Sequence, residues 1–221
     1  MSQENNSPEN RRPLKVRGVG LVNQFAKWLS QKSITPNHIS LFSIVFAAFA
    51  AACLFAVPYY EGMLQLTLYL LAALFIQGRL LCNLFDGLVA IEGGKSTASG
   101  ELFNDIPDRI SDPLIIIAAG YSIGCVSYGD ILGWCGALLA VLTAYVRTLA
   151  VSIGAPANFM GPMAKQHRMA LLTVACVASA VEQWIWQHDF VMLFALVLLN
   201  LGAAVTTWRR AAFAYRFLEN K

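Results

Sequence analysis

Six long apolar runs, separated by short polar segments, dominate the sequence after residue 37. A helix needs about 20 apolar residues to cross the hydrocarbon core of a bilayer, and each run is near or above that length. The pattern therefore predicts an all-α integral membrane protein with six transmembrane helices. The predicted spans are residues 38–57, 63–91, 104–125, 131–154, 168–186 and 190–210.

The third run differs from the others because its apolar part is short. Counted from Pro113, the stretch PLIIIAAGYSIG is too short to span a bilayer. The helix must therefore begin earlier in the chain. It then takes Asp108, Arg109 and Asp112 to the membrane boundary or into a cavity within the bundle.

The region before the first span has two parts. Residues 1–13 are polar, which predicts a disordered tail. Residues 14–34 predict an amphipathic helix, with apolar side chains on one face and basic ones around it. This helix either lies on the membrane surface or packs on the protein. Thr35 or Asn37 is expected to cap the first span, residues 35–215 form the membrane domain, and residues 216–221 form a tail.

Composition supports the membrane class. The chain is 57% hydrophobic and only 13% charged, whereas about a quarter of the residues in soluble domains are charged. Its five cysteines lie in apolar runs without metal or redox spacing, so we expect them to be packing residues. The net charge of +3 is small, and we expect membrane lipids rather than nucleic acid as partners.

Basic residues are confined to one set of loops. The segments 1–37, 92–103, 155–167 and 211–221 fall on one side of the predicted bundle and carry most of the Lys and Arg. The loops on the other side carry none. Because basic loops stay in the cytoplasm, we expect both termini on that side, in a bacterial inner membrane.

Acids and amides collect between the second and third runs. On a helix, Arg79, Asn83, Asp86 and Ala90 share one narrow face. The start of the next helix presents a second polar face. Clustered carboxylates repel unless a cation lies between them or some are protonated. Oxygen ligands favour hard cations such as Mg²⁺, Mn²⁺ or Ca²⁺. The second face carries Glu101, Asn104, Asp105, Asp108 and Asp112.

This stretch resembles the signature of the CDP-alcohol phosphotransferases (CDP-alcohol phosphatidyltransferases), membrane enzymes of phospholipid synthesis. Their pattern is D-x-x-D-G-x-x-A-R, a spacer, then G-x-x-x-D-x-x-x-D. This chain reads N-L-F-D-G-L-V-A-I, a spacer, then G-E-L-F-N-D-I-P-D. Three positions depart from the pattern, where Asn83, Ile91 and Asn104 replace Asp, Arg and Asp. The matching positions are Asp86, Gly87, Ala90, Gly100 and Asp108.

The resemblance implies a transferase that moves a phosphatidyl or phosphoalcohol group from a CDP-linked donor, such as CDP-diacylglycerol, to a hydroxyl acceptor and releases CMP. It implies Mg²⁺ or Mn²⁺, two ions in the family, with fewer conceivable here, and a homodimer. Asp86 and Asp108 would be catalytic, and Gly87, Ala90 and Gly100 would adjoin the nucleotide. The implied metal ligands, with substitutes for the lost acids, are Asp86, Asp108, Asn83, Asn104, Asp105 and Asp112.

Four basic residues are candidates for holding an acceptor or lipid phosphate. Arg147 matches a family arginine, and its alternative is a snorkelling interface residue. Arg79 either binds an anion or pairs with Asp86 or Asp112. Lys165 and Arg168 either bind phosphate or serve as positive-inside anchors.

Two other functions remain open at this point. The two Asp→Asn replacements are compatible with a degenerate family member that binds lipid or partner proteins without catalysis. A small ion-coupled transporter is the second alternative, although the acids lie at one surface rather than at the membrane midplane. The resemblance does not name the acceptor, because glycerol phosphate, inositol phosphate, serine and others are acceptors within the family.

Overall fold

The structure is a computed structural model that describes residues 24, 28, 35–92, 99–186 and 190–220, except for the side chains of Ile91, Glu92 and Glu101. The predicted tail at 1–13 lies outside the described residues. Of the predicted amphipathic helix at 14–34, only Gln24 and Trp28 are described.

Every long element in the described ranges is an α-helix, as the apolar runs predict. The helices begin and end within a few residues of the predicted spans, but the last continues through the predicted boundary at residue 215. A short 3-10 turn, Val57–Tyr59, follows the first helix. The helices are α1 (Pro36–Ala56), α2 (Gly62–Glu92), α3 (Gly100–Tyr121), α4 (Gly129–Ser152), α5 (Lys165–Ile185) and α6 (Phe190–Glu219).

The termini of these helices follow local chemistry. Thr35 caps α1, because its side chain accepts a hydrogen bond from the backbone N–H of His38 at 3.3 Å, and Pro36 occupies the first turn, where it needs no N–H partner. At the other end of the bundle, buried Glu182 receives the N–H groups of Phe190 and Val191 at 3.1 and 3.0 Å and so caps α6.

The helices form a closed ring in the order α1, α2, α5, α6, α4, α3, with α3 returning to α1. Alanines fill much of the shared interior, which lets backbones approach closely where no hydrophobic effect drives helices together. Large apolar side chains such as Phe49, Leu74 and Phe194 point outwards. Outward apolar surface is expected where the surroundings are lipid rather than water.

Five of the helices, all except α3, are long and apolar enough to cross a membrane. The chain is therefore an integral membrane protein. Helix α3 has comparable length but carries the acids of the central stretch and two internal prolines, Pro107 and Pro113. It packs against α1 and α4 in the ring, and a sixth span in α3 remains a prediction.

Candidate active site

The candidate site lies at one end of the ring, where six helix ends meet. These are the C-terminal ends of α2, α4 and α6 and the N-terminal ends of α1, α3 and α5. Antiparallel neighbours place these ends together, so residues far apart in sequence become adjacent. The two polar faces of the central stretch do meet here, since Asn83 of α2 donates a hydrogen bond to Asp108 of α3 at 2.8 Å.

Asp108 is the most heavily bonded carboxylate of this site. Its Oδ1 accepts from Asn83 Nδ2 and, at 2.7 Å, from Nη2 of Arg79. Its Oδ2 contacts the ammonium group of Lys165 on α5. The Asp108 side chain is buried, whereas Lys165 remains 28% exposed. Asp108 therefore joins α2, α3 and α5 through charged hydrogen bonds, which are stronger than neutral ones.

Arg79 and Arg168 both pair with Asp112. The Nη2 atom of Arg79 lies 2.6 Å from Asp112 Oδ1, and Nη2 of Arg168 lies 3.0 Å from Asp112 Oδ2. Arg168 also donates to the carbonyl of Met163 at 3.0 Å. All three charged side chains are buried, and Arg79 is 0% exposed. Of the two roles open to Arg79, the structure shows ion pairing, and with Asp108 as well as Asp112.

Asp86 has a different environment, because α1 rather than a cation contacts it. Ser40 Oγ donates to Asp86 Oδ2 at 2.5 Å, and both residues are buried. No ion pair among the described residues involves Asp86. The sequence analysis missed Ser40. Its helical spacing from the small residues Ser43, Ala47 and Ala50 could have indicated that it lies on the inner face of α1.

Arg147 of α4 lies at the more open part of the site. Its Nη2 is 3.3 Å from Asp105 Oδ1, and its guanidinium stands 5.2 Å from the ring centre of Phe159. Asp105 is 40% exposed and also pairs with Arg109 at 2.8 Å. Asn104 is exposed. The extra acid next to Asn104 is therefore held by arginines in this structure.

A cavity of about 130 Å³ opens between α3, α4, α5 and the loop that follows α4. Cationic side chains outnumber acids in its wall, which makes it suited to an anion. Arg79 is absent from the residues that line it. The charged lining residues are Arg109, Arg147, Lys165, Arg168 and Arg210, with Asp105 and Asp108.

Two residues of α6 fix the loop between α4 and α5, and the sequence analysis did not assign them this role. Arg210 donates to the carbonyls of Met160 at 3.0 Å and Thr143 at 2.7 Å. The hydroxyl of Thr206 accepts the N–H of Met163 at 3.0 Å. Because Lys165 follows this loop directly, these bonds also position the basic wall of the cavity.

The predicted metal ligands form only part of a metal site. Asp105, Asp108 and Asp112 are all bonded to cationic side chains. Among the described residues, no three His, Cys, Asp or Glu side chains are grouped to hold a metal ion. Within the described part of the chain, the predicted ligand oxygens without a cationic partner include those of Asp86 and the side-chain carbonyl oxygen of Asn83. The NH₂ group of Asn83 donates its hydrogen bond to Asp108. Carboxylate and amide oxygens are ligand types that a hard cation takes, and these two residues lie about one helical turn apart on α2.

The positions next to the proposed nucleotide are small. Gly87, Ala90 and Gly100 lie at the end of α2 and the start of α3, and each is partly exposed. Small residues let another group approach the backbone closely.

The fold and the site together define a class: helical membrane proteins with a charged polar site at one end of the bundle. The family model for the CDP-alcohol phosphatidyltransferases matches residues 33–212, and the chain belongs to this family. The expected membership is thus confirmed, and with it the classes of transferase and phospholipid biosynthesis. No curated protein matches the sequence significantly.

Solved structures agree with this assignment at the level of the fold. The phosphatidylinositol phosphate synthase of Mycobacterium tuberculosis (PgsA1), crystallised with CDP-DAG bound, has a TM-score of 0.74 and 16% identity over 89% of this chain and 94% of its own. The same synthase in complex with manganese and citrate gives a TM-score of 0.73 and 16% identity over 88% of each chain.

Proposed function

We propose that this protein transfers a phosphatidyl or related phosphoalcohol group from a CDP-linked donor, with CDP-diacylglycerol the leading candidate, to a hydroxyl group of an acceptor. The acceptor oxygen forms a new bond to the donor's lipid-bearing phosphorus. The bond from that phosphorus to the CMP phosphate breaks, CMP leaves, and the hydroxyl proton passes to a base. The synthase with bound CDP-DAG supports this choice of donor through the shared family and fold.

The observation that carries the proposal is the meeting of the two signature halves at Asp108. Asn83 from the first half and Lys165 from α5 both contact this carboxylate. Gly87, Ala90 and Gly100 would leave room for the nucleotide beside it. Asp108 also lines the cavity, which is where an acceptor hydroxyl would enter. We assign Asp108 as the proton acceptor, because a base must lie within hydrogen-bonding reach of the hydroxyl.

The cationic cavity supports an acceptor or lipid that carries a phosphate. Arg147 and Lys165 are only partly buried and line the cavity, so they are our main candidates for contacting that phosphate. A guanidinium can bind two phosphate oxygens at once. Arg168 also lines the cavity but is buried against Asp112, and Arg79 does not line it. These two would act by holding the acids in place.

A divalent cation, Mg²⁺ or Mn²⁺, belongs to the proposal. The family resemblance and the manganese-bound synthase support it. Asp86 and the carbonyl oxygen of Asn83 would hold it. Of the other predicted ligands, Asn104 is exposed and Asp105 and Asp112 are bonded to arginines, which makes them secondary candidates. When bound, such an ion would neutralise charge on the donor's diphosphate.

The site is proposed to face the cytoplasm of a bacterial inner membrane, because the basic loops flank it. We also propose a homodimer, as the resemblance implies. The main rival remains a non-catalytic family member. It is favoured by the asparagines at positions 83 and 104 and by the bonds that Asp108 already makes to Arg79 and Lys165. The family match favours the transferase over the transporter alternative.

A screen of acceptors that distinguishes the two faces of the membrane tests the function. Inverted inner-membrane vesicles containing the protein would receive CDP-diacylglycerol, Mn²⁺ and one hydroxyl acceptor at a time. The screen would include phosphorylated and unphosphorylated alcohols, with new lipids read by mass spectrometry and CMP by chromatography. We expect CMP and one new lipid with a phosphorylated acceptor, and none from intact spheroplasts given an impermeant acceptor. Binding of CDP-diacylglycerol without CMP under any acceptor or metal would favour the non-catalytic rival.

A further inference from the structure

Cationic side chains of the protein itself contact Asp108 in this structure. Both oxygens of this carboxylate are in contact with cationic side chains, Oδ1 with Arg79 and Oδ2 with Lys165. Asn83 adds a third donor through its NH₂ group. These three donors take three of the carboxylate's roughly four lone-pair sites. A metal ion that used more than the remaining site would have to displace a buried or partly buried charged partner.

Arg79 is a buried counter-ion for the acids of the site rather than a substrate-binding group. Its side chain is 0% exposed, and one atom, Nη2, contacts both Asp108 and Asp112. Its Nε and Nη1 atoms are closed off from solvent and have no hydrogen-bond partner among the described residues. A buried guanidinium is retained only next to opposite charge. Removing its acids, or adding a metal ion beside them, would therefore be strongly unfavourable.

A charge count points the same way. Asp108 and Asp112 carry two negative charges, and the cations in contact with them are Arg79, Lys165 and Arg168. That cluster already has one net positive charge, so a divalent ion placed on it would meet repulsion in a low-dielectric setting. Asp86 lies outside the described ion pairs, and Asn83, about one helical turn before it on α2, offers an uncharged amide oxygen.

We propose that this protein binds a single divalent cation, held by Asp86 and Asn83, and that Arg79 and Lys165 take the place of a second ion at Asp108. This inference rests on the proposed function, since it concerns the metal of the same site. It also gives Asn83 a specific role. An aspartate there would add a like charge beside Asp108, whereas the amide donates to Asp108 and still offers an oxygen to the ion.

Counting metal ions tests the inference without any turnover. The purified full-length protein in nanodiscs would be dialysed against Mn²⁺ and the bound ions counted by mass spectrometry of the metal, with electron paramagnetic resonance to detect coupled pairs. We expect one ion per chain and no coupled pair. Asp86→Ala should lower the count to zero. Lys165→Met should leave it at one, because Arg79 and Asn83 still hold Asp108. Arg216→Met, which removes an exposed cation from the last turn of α6 that is not among the described partners of these acids, should also leave it at one.

The double variant Asn83→Asp with Lys165→Met is the strongest arm. It restores an acid and removes a cation, so we expect two ions per chain and a coupled Mn²⁺ pair. The inference would be overturned by two ions or no ion in the unaltered protein, or by only one ion in the double variant. Size-exclusion profiles would confirm that each variant is folded. Failure here is distinct from failure of the proposed function, since two ions with CMP release would overturn only the inference, and one ion without CMP release would overturn only the function.

Discussion

At the scale of single residues, Ser40 fixes the orientation of the Asp86 carboxylate. Its Oγ lies 2.5 Å from the carboxylate and 3.2 Å from the carbonyl of Pro36. The hydroxyl has one proton, and the charged and closer partner is the better acceptor. Asp86 is therefore held by α1, and the side chain that holds it lies outside the signature.

Replacing Ser40 by Ala tests this positioning role. A hydrogen bond to a charged group contributes about 1.5–3 kcal/mol, so we expect kcat for CMP release to fall about 10- to 100-fold. Ser43→Ala is the matched control, because Ser43 is buried on the same helix and donates only to the carbonyl of Ser40 among the described contacts. Ser40→Thr, which keeps the hydroxyl, should recover much of the activity. Equal losses in the two alanine variants would show a general packing effect instead.

At the scale of elements, α3 and α4 approach each other through glycines. A Cβ atom on Gly120 would lie 2.6 Å from the carbonyl oxygen of Gly129 and 2.7 Å from the Cα of Gly133. Both neighbours are backbone atoms, so no side chain can rotate away and the whole helix would have to move. This close contact holds the C-terminal end of α3 against the start of α4, at the end of the bundle away from the site.

Gly120→Ala should consequently destabilise the bundle by about 1–3 kcal/mol, the usual penalty for overpacking. The free energy of unfolding in detergent, followed by circular dichroism against denaturant, measures the effect. Ala204→Val is the control, since it adds carbon atoms to an exposed position on α6. A Gly120→Ala protein as stable as this control would show that α3 and α4 are less tightly packed than described.

At the scale of the whole molecule, the sequence predicted the architecture well and the site only in part. Apolar runs fix helices strongly, and the meeting of α2 and α3 follows from their polar faces. The carboxylates' partners do not follow from spacing, because Ser40, Lys165 and Arg168 reach Asp86, Asp108 and Asp112 only once the ring closes. The hydrogen bond from Arg210 to the carbonyl of Met160, in the loop after α4, depends on the same closure of the ring.

The most direct test of the account compares two acids of the site with one outside it. CMP release from CDP-diacylglycerol would be measured in reconstituted protein carrying Asp86→Asn, Asp108→Asn or Asp130→Asn, with the acceptor found in the screen. Loss of a catalytic acid or base typically costs about 10²- to 10⁴-fold, and we expect falls of that size at Asp86 and Asp108. Asp130 lies in the first turn of α4 at the opposite end of the bundle, so its variant should keep the unaltered rate. Undiminished CMP release by both site variants would contradict the assignment of this end of the bundle as the active site.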